Sequence, residues 1–272
     1  MTQDADVAAA ICEALAARKD ALTRQFRQGG PIRHFVVDGL LPPDLALEAY
    51  RAFPNSASLH ELHSLRERKR VGAQMDAYDP LLGRILFAFQ DKEVCALLQE
   101  IMGRTELIPD PDLYAGGLSL MEEGHFLNPH LDNSHDRERR YWRIANALYY
   151  VTPDWAEEDG GSLELWPEGP RRPAIVIPPR FNRLVLMETH DRSWHSVDAV
   201  RTGKRRCCIS NYYFSARPNR PAQRYRVTSY RGRPEQPLRD IVLQADNYAR
   251  QAVRRLVGNR MFKTFHEYRR KG

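Results

Sequence analysis

The chain has 272 residues, of which 42% are hydrophobic and 28% charged, a globular composition that excludes a disordered chain. No apolar stretch approaches the ~18 residues of a membrane span. Asp4, Asp6 and Glu13 interrupt the Ala-rich start, so a secretory leader is not expected either. The net charge of +6 is local: residues 231–272 hold eleven Arg or Lys against four Asp or Glu, so the rest of the chain is close to neutral and does not read as a nucleic-acid binder.

In chain order, residues 3–27 predict one amphipathic helix, ended by Gly29-Gly30-Pro31. His34–Val37 reads as a short strand, and Pro42-Pro43-Asp44 opens a helix that runs to about Phe53. Residues 55–78, with the charge run Arg66–Arg70, read as a solvated loop, or alternatively as a mobile lid over a site. Pro80–Met102 predicts two further helices.

After Asp110-Pro111 the texture changes. Short apolar or alternating runs at 114–121, 126–131, 144–151, 162–166, 173–177, 183–188, 195–200, 205–214 and 223–229 are separated by Gly, Pro, Asn and Asp. This spacing indicates a double-sheet β fold rather than βαβ units. A helix returns over Pro237–Val257, where Leu238, Ile241, Val242, Ala245, Tyr248, Ala249 and Ala252 follow a helical period. The expected organisation is a helical part at 1–110 packed on the core, a mainly β core at 111–230 and a basic helical extension at 231–272. Cys12, Cys95, Cys207 and Cys208 have no zinc or disulfide spacing, so reduced thiols and a cytoplasmic protein are expected.

The chemistry centres on His130-Leu131-Asp132, which follows the apolar pair Phe126-Leu127. On a strand, residues i and i+2 share a face, so an imidazole and a carboxylate aim at one point. A second imidazole would complete the facial triad that leaves open positions on non-haem iron. His195, at the start of a strand-like run, is the candidate; on spacing alone His135 or His190 would also serve. Further on, Arg205-Arg206 opens a run ending in Tyr212-Tyr213-Phe214, and a guanidinium beside a metal site suits a forked grip on a carboxylate. Between the ligands stand Asn146–Val151, Asp154-Trp155 and Gly160-Gly161 followed by an alternating strand.

Taken together over residues 113–230, the H-x-D pair, the Tyr-rich strand with its Asp-Trp turn, Gly-Gly, the distal His and the Arg about ten residues later resemble the iron(II)- and 2-oxoglutarate-dependent dioxygenases, in their prolyl-4-hydroxylase-like branch. The resemblance implies a double-stranded β-helix (jelly roll, cupin-like) core with flanking helices. It implies that His130, Asp132 and His195 bind Fe(II) and that one arginine holds 2-oxoglutarate. Arg205 fits the commonest spacing from the distal His. Arg206 fits the register counted back from Tyr212-Tyr213-Phe214, which puts Arg206, Cys208, Ser210 and Tyr212 on one face, and is preferred. Tyr150 matches a family position that hydrogen-bonds the same carboxylate, and Asn146 shares its parity.

The implied reaction is hydroxylation of an unactivated C–H by O2, coupled to decarboxylation of 2-oxoglutarate to succinate and CO2, with ascorbate as an optional addition. The substrate class stays open among small molecules, glycans and peptides. The charged loop Asn133–Tyr141 lies beside the expected metal and is either a solvated hairpin loop or, through Arg137, Arg139 or Arg140, a receptor for an acidic substrate. Two other readings compete: a non-catalytic metal-binding β fold, and an oxygenase directed to nucleic acid by the basic tail, which has few interleaved aromatics beyond Phe262, Phe265 and Tyr268. Arg250, Arg254, Arg255, Arg260 and Lys263 would be the face for an anionic surface, if not simply a solvated one.

Overall fold

The computed structural model describes residues 3–257 and 267–269. Helices α1 (Gln3–Ala16) and α2 (Lys19–Gln28) lead to strand β1 (His34–Asp38), helix α3 (Pro43–Ala52), strands β2 (His60–His63) and β3 (Glu67–Gly72), and helices α4 (Pro80–Ala88) and α5 (Lys92–Met102). Then come β4 (Ile108–Pro109), β5 (Gly117–Met121), β6 (Phe126–Leu131), β7 (Trp142–Tyr150), β8 (Leu163–Leu165), β9 (Ile175–Ile177), β10 (Arg183–Glu188), β11 (His195–Val197), β12 (Arg206–Ser215) and β13 (Ser229–Tyr230), and finally α6 (Pro237–Val257). The strands form one curled antiparallel sheet in the order β1-β10-β7-β12-β5-β3-β6-β11-β8-β9, with β13 on β6, β2 on β3 and β4 on β12. Residues of β5, β7 and β12 face residues of β6, β8 and β11 across a single cavity, the jelly-roll arrangement.

Alternation along the strands decides what lies on each side. Leu118 and Leu120 of β5, Ala145, Ala147 and Tyr149 of β7, and Cys207, Ile209 and Tyr213 of β12 point outward into the main apolar core. There they meet Ile11 and Leu15 of α1, Leu82, Ile85 and Leu86 of α4, and Leu98 and Ile101 of α5. The intervening residues Ser119, Met121, Asn146, Leu148, Arg206, Cys208, Ser210 and Tyr212 line the cavity. The helices thus brace the back of the sheet and leave its concave side to polar groups.

Local chemistry sets the helix ends. Asp79 and Asp91 cap α4 and α5 by accepting from the N–H of Leu81 and of Glu93. Gly103, at φ 64°, closes α5 in the left-handed conformation that glycine adopts without a Cβ clash.

Three expectations need correction. The first helix is two, broken at Ala17-Arg18, so that α1 packs on α4 and α5 while α2 packs on α5 and β1; no Gly or Pro marks the break. Residues 55–78 are neither loop nor lid, because β3 pairs with both β5 and β6. Its Glu-Arg-Lys-Arg run has no apolar alternation, and backbone hydrogen bonds hold it in place. The run at 223–229 shrinks to the two-residue strand β13. Helix α6 turns a largely polar face inward around the buried Leu243 and leaves Leu238, Ile241, Val242 and Tyr248 exposed. The side chains of Arg254 and Arg255, together with Arg260, Phe262, Lys263 and Phe265, lie outside the described residues. No helix among the described residues is long and apolar enough to cross a membrane.

Candidate active site

His130 ends the cavity side of β6, Asp132 follows it by two residues, and β11 brings His195 directly across from His130 in the sheet. The imidazole rings lie 4.1 Å apart. His130 Nε2 is 3.6 Å from Asp132 Oδ1, and His195 Nε2 is 3.7 Å from Asp132 Oδ2. One donor atom from each of the three residues lies within 4.8 Å of the other two, and all three are buried. His130 Nδ1 sits 3.0 Å from the Asn128 carbonyl and His195 Nδ1 2.9 Å from the Ser193 carbonyl. A carbonyl only accepts, so Nδ1 carries the proton and each Nε2 presents its lone pair to the cluster.

The electrostatics agree with a cation site. Burial alone would raise the Asp132 pKa; His195, His130 and Arg143 outweigh it and hold the carboxyl well below the usual carboxylate range. Burial, with His130 beside it and Asp132 opposing, pushes the His195 imidazole down to about 4, so it is neutral at physiological pH. Asp132 Oδ2 is buried without a hydrogen-bond donor among the described residues. A buried carboxylate oxygen and two imidazole lone pairs converging on one point fit a divalent cation with nitrogen and oxygen ligands.

Arg206 lines the same cavity at 3% exposure. Its Nε donates to the Gly161 carbonyl at 2.6 Å and its Nη1 meets Met121 Sδ at 3.6 Å. Among the described residues no carboxylate pairs with it. Its guanidinium lies 4.8 Å from the Tyr150 ring centre, and among the described residues the fully buried Tyr150 hydroxyl has no hydrogen-bond partner. Arg205 points the other way, toward the Pro54 carbonyl at 3.3 Å and the Tyr50 ring. Gly161, at φ 66°, explains the Gly-Gly motif: a Cβ there would stand 2.8 Å from Arg206 Cδ. Asn146 lines the cavity with its Oδ1 unpaired.

His135 and His190, the alternatives on spacing, lie apart from the cluster. His135 contacts the Asp136 carbonyl at 2.6 Å, and both His190 nitrogens are engaged, by the Pro31 carbonyl and the Arg192 N–H. At the loop, Arg137 pairs with Glu267 and Arg140 with Glu138, and neither lines the cavity.

Three features of the site escaped the sequence reading. Arg143 is 2% exposed, lies 3.8 Å over the Tyr212 ring, donates to the Tyr114 carbonyl at 3.0 Å and reaches within 3.9 Å of Asp132. A register shift beside Ile144 pairs Arg143 with Phe214, so a residue of the outward parity lands on the cavity side. Tyr230 stacks on His130 at 5.4 Å and donates to Glu67 at 3.1 Å. Glu67 and Lys69 of β3, joined to each other at 3.1 Å, form part of the wall of the 290 Å³ cavity. The one sequence signal for Arg143 is its place inside the apolar, Tyr-rich run Trp142–Tyr150.

The profile of the 2OG-Fe(II) oxygenase superfamily matches residues 116–214. Prolyl 3-hydroxylase OGFOD1 of Xenopus laevis is 37% identical over 94 residues, which is 32% of this chain and 18% of that protein. The chain therefore matches less than a fifth of that curated relative's length. A prolyl 4-hydroxylase of Phytophthora capsici shares 19% identity over 75% of this chain and 65% of its own, with a TM-score of 0.54. A prolyl-4-hydroxylase of Pseudomonas putida shares 18% identity over 74% of this chain and 98% of its own, with a TM-score of 0.50. At these identities the likeness to the two solved structures is one of fold.

Proposed function

We propose that this chain, whose residues 116–214 match the profile of the 2OG-Fe(II) oxygenase superfamily, is a 2-oxoglutarate-dependent hydroxylase whose metal ligands are His130, Asp132 and His195 and whose cosubstrate residue is Arg206. One observation carries the reading: a buried, ligand-shaped triad shares one cavity with a buried guanidinium that has no carboxylate partner among the described residues. Bound Fe(II), with 2-oxoglutarate and O2, supplies the oxidation of an unactivated C–H coupled to release of succinate and CO2.

The chain's own groups do the rest. His130 and His195 are held by the Asn128 and Ser193 carbonyls in the tautomer that offers Nε2. Asp132 stays ionised down to strongly acid pH, so the ligand set carries one negative charge. Arg206 would grip the distal carboxylate of the cosubstrate by charge-assisted hydrogen bonds, with Gly161 fixing its Nε and the unpaired Tyr150 hydroxyl as a second donor. Asn146, on the same face, is assigned a lesser part in holding it. Arg143 steadies Asp132 from the side while Tyr212 fixes its guanidinium plane. The strands on both sides of the cavity exclude bulk water and so strengthen these contacts.

The curated relative and the two solved structures are named as prolyl hydroxylases, which favours a prolyl C–H in a peptide over a glycan or free metabolite. The free cysteines Cys12, Cys95, Cys207 and Cys208 favour a reducing compartment, the cytoplasm. The test is succinate release from 2-oxoglutarate in the presence of Fe(II) and a panel of proline-containing peptides, glycans and small metabolites. Turnover lost in His130→Ala and Asp132→Ala supports the proposal. Binding of Fe(II) without succinate from any substrate favours the non-catalytic metal-binding fold instead.

A further inference from the structure

We propose that this chain forms a twofold dimer through the outward face of α6, with a second copy of the same helix as its partner. The mode of docking of α6 on its own core is the first observation. Asp240 is gripped by Arg231 through two hydrogen bonds of 2.6 and 2.8 Å and accepts the Gly232 N–H at 2.9 Å. Asn247 accepts from the Tyr230 N–H and donates to its carbonyl, at 2.9 and 2.6 Å. Asp246 accepts from Arg66 and Arg250, each through Nε at 2.9 Å. These bonds fix the rotation of the helix, with Leu243 as the buried apolar residue between them.

The opposite face is apolar and bare. Leu238, Ile241, Val242 and Tyr248 are 78%, 63%, 50% and 76% exposed, and they are four of the eight large hydrophobic residues that stand exposed among the described residues. Ala245, Ala249 and Ala252 lie between them, also exposed. At 3.6 residues per turn these seven positions share one face over about 21 Å of helix. A contiguous apolar patch of this kind marks an interface.

The sequence of the face chooses the occupant. Ala245 is its centre, and an antiparallel copy related by a twofold axis there sets Leu238 against Ala252 and Val242 beside Ala249. Ile241 then lies beside Tyr248, and Ala245 meets itself. Two of the three off-axis pairings set a large residue against alanine, which gives the close approach that helix packing requires. A face complementary to itself under a twofold axis is what an isologous dimer needs. The charges near the axis do not oppose it: Gln244 is neutral, and Asp246 is already neutralised by Arg66 and Arg250. An anionic membrane is a poorer occupant, because Arg250 is turned inward onto Asp246, Asn247 and the Thr228 carbonyl.

Sedimentation equilibrium of the full chain over a range of loading concentrations tests the proposal. A dimer is expected. Ala245→Glu sets two carboxylates against each other at the axis, and Leu238→Glu removes the largest aliphatic contact. Each should raise the dimer dissociation constant about tenfold or more, whereas Leu65→Glu, at an exposed hydrophobic elsewhere, should leave it unchanged. Far-UV circular dichroism checks that the variants are folded, and Ile241→Glu substitutes for either one that is not. A monomer at every concentration overturns the proposal, as does a dimer indifferent to the α6 variants. Cosedimentation of a monomeric chain with phosphatidylserine vesicles, abolished by Leu238→Glu, overturns it in favour of a lipid surface.

Discussion

Arg206→Ala separates cosubstrate binding from stability in a way that few core substitutions do. In the chain alone, the buried guanidinium meets the Gly161 carbonyl and Met121 Sδ and has no carboxylate partner among the described residues, so its charge is poorly compensated. Removing it relieves that desolvation penalty and offsets the packing lost over Tyr150, so the melting temperature should move little. With 2-oxoglutarate bound, the same truncation strips a buried carboxylate of its countercharge. Loss of one partner from a buried, hydrogen-bonded charge pair costs about 2–5 kcal/mol, or about 30- to 4,000-fold in affinity. Arg205 bonds the Pro54 carbonyl on the far side of the sheet, so Arg205→Ala should change the KM for 2-oxoglutarate by less than about threefold, as for a partly exposed polar contact. The assay is succinate formation against 2-oxoglutarate concentration, with direct binding measured by calorimetry in the presence of Mn(II). Arg206→Lys should recover only part of the loss, since an ammonium lacks the fork. A larger effect of Arg205→Ala, or an Arg206→Ala variant that loses kcat with KM unchanged, would refute the assignment.

Three other outcomes are expected. Mn(II) at a hundredfold excess over its dissociation constant should stabilise the chain by about 2.7 kcal/mol. Differential scanning fluorimetry should show that shift abolished in His195→Ala and reversed by a chelator. Gly161→Ala places a side chain at φ 66°, at a backbone cost of about 1–2 kcal/mol, and presses on Arg206 Cδ; its KM for 2-oxoglutarate should rise even where a melting curve shows the variant folded. Burial pushes the Asp110 carboxyl up to about 7, with Arg143 opposing. The folded chain then binds a proton that the unfolded chain has released, so stability falls as pH rises from about 4 to about 7. Asp110→Asn should flatten that slope, and equal slopes in chemical denaturation of both proteins would reject this account.

The β core was legible because its strands obey a simple rule. Leu184 and Leu186 face one apolar cluster and Val185 and Met187 another, and the structural strand has the expected bounds, Arg183–Glu188. The placement of Arg206 on the cavity side follows from counting parity back from Tyr212, which holds because β12 pairs without a slip from Arg206 to Ser210 with β5 and from Cys208 to Tyr213 with β7. Where the pairing slips, at Ile144, parity fails and Arg143 is hidden. Strand β3 was illegible for a different reason: a strand of Glu, Arg, Lys and Arg carries no hydropathy signal, and only its neighbours reveal it. The period of α6 was read correctly, but periodicity says that a helix has an apolar face and not which way that face turns. Asp240 and Asn247, fixed by Arg231 and Tyr230, decide the direction.

Strand β3 also changes how the protein can be dissected. It closes the seam between β5 and β6 and is drawn from a part of the chain that precedes residues 116–214 by more than forty positions. A fragment cut to the profile-matching residues 116–214 would leave two unpaired strand edges where the cup should be continuous, and such edges recruit strands from other molecules. Any shortened version made for crystallisation or screening should therefore retain Glu67–Gly72, or it will report on an aggregate rather than on the folded chain.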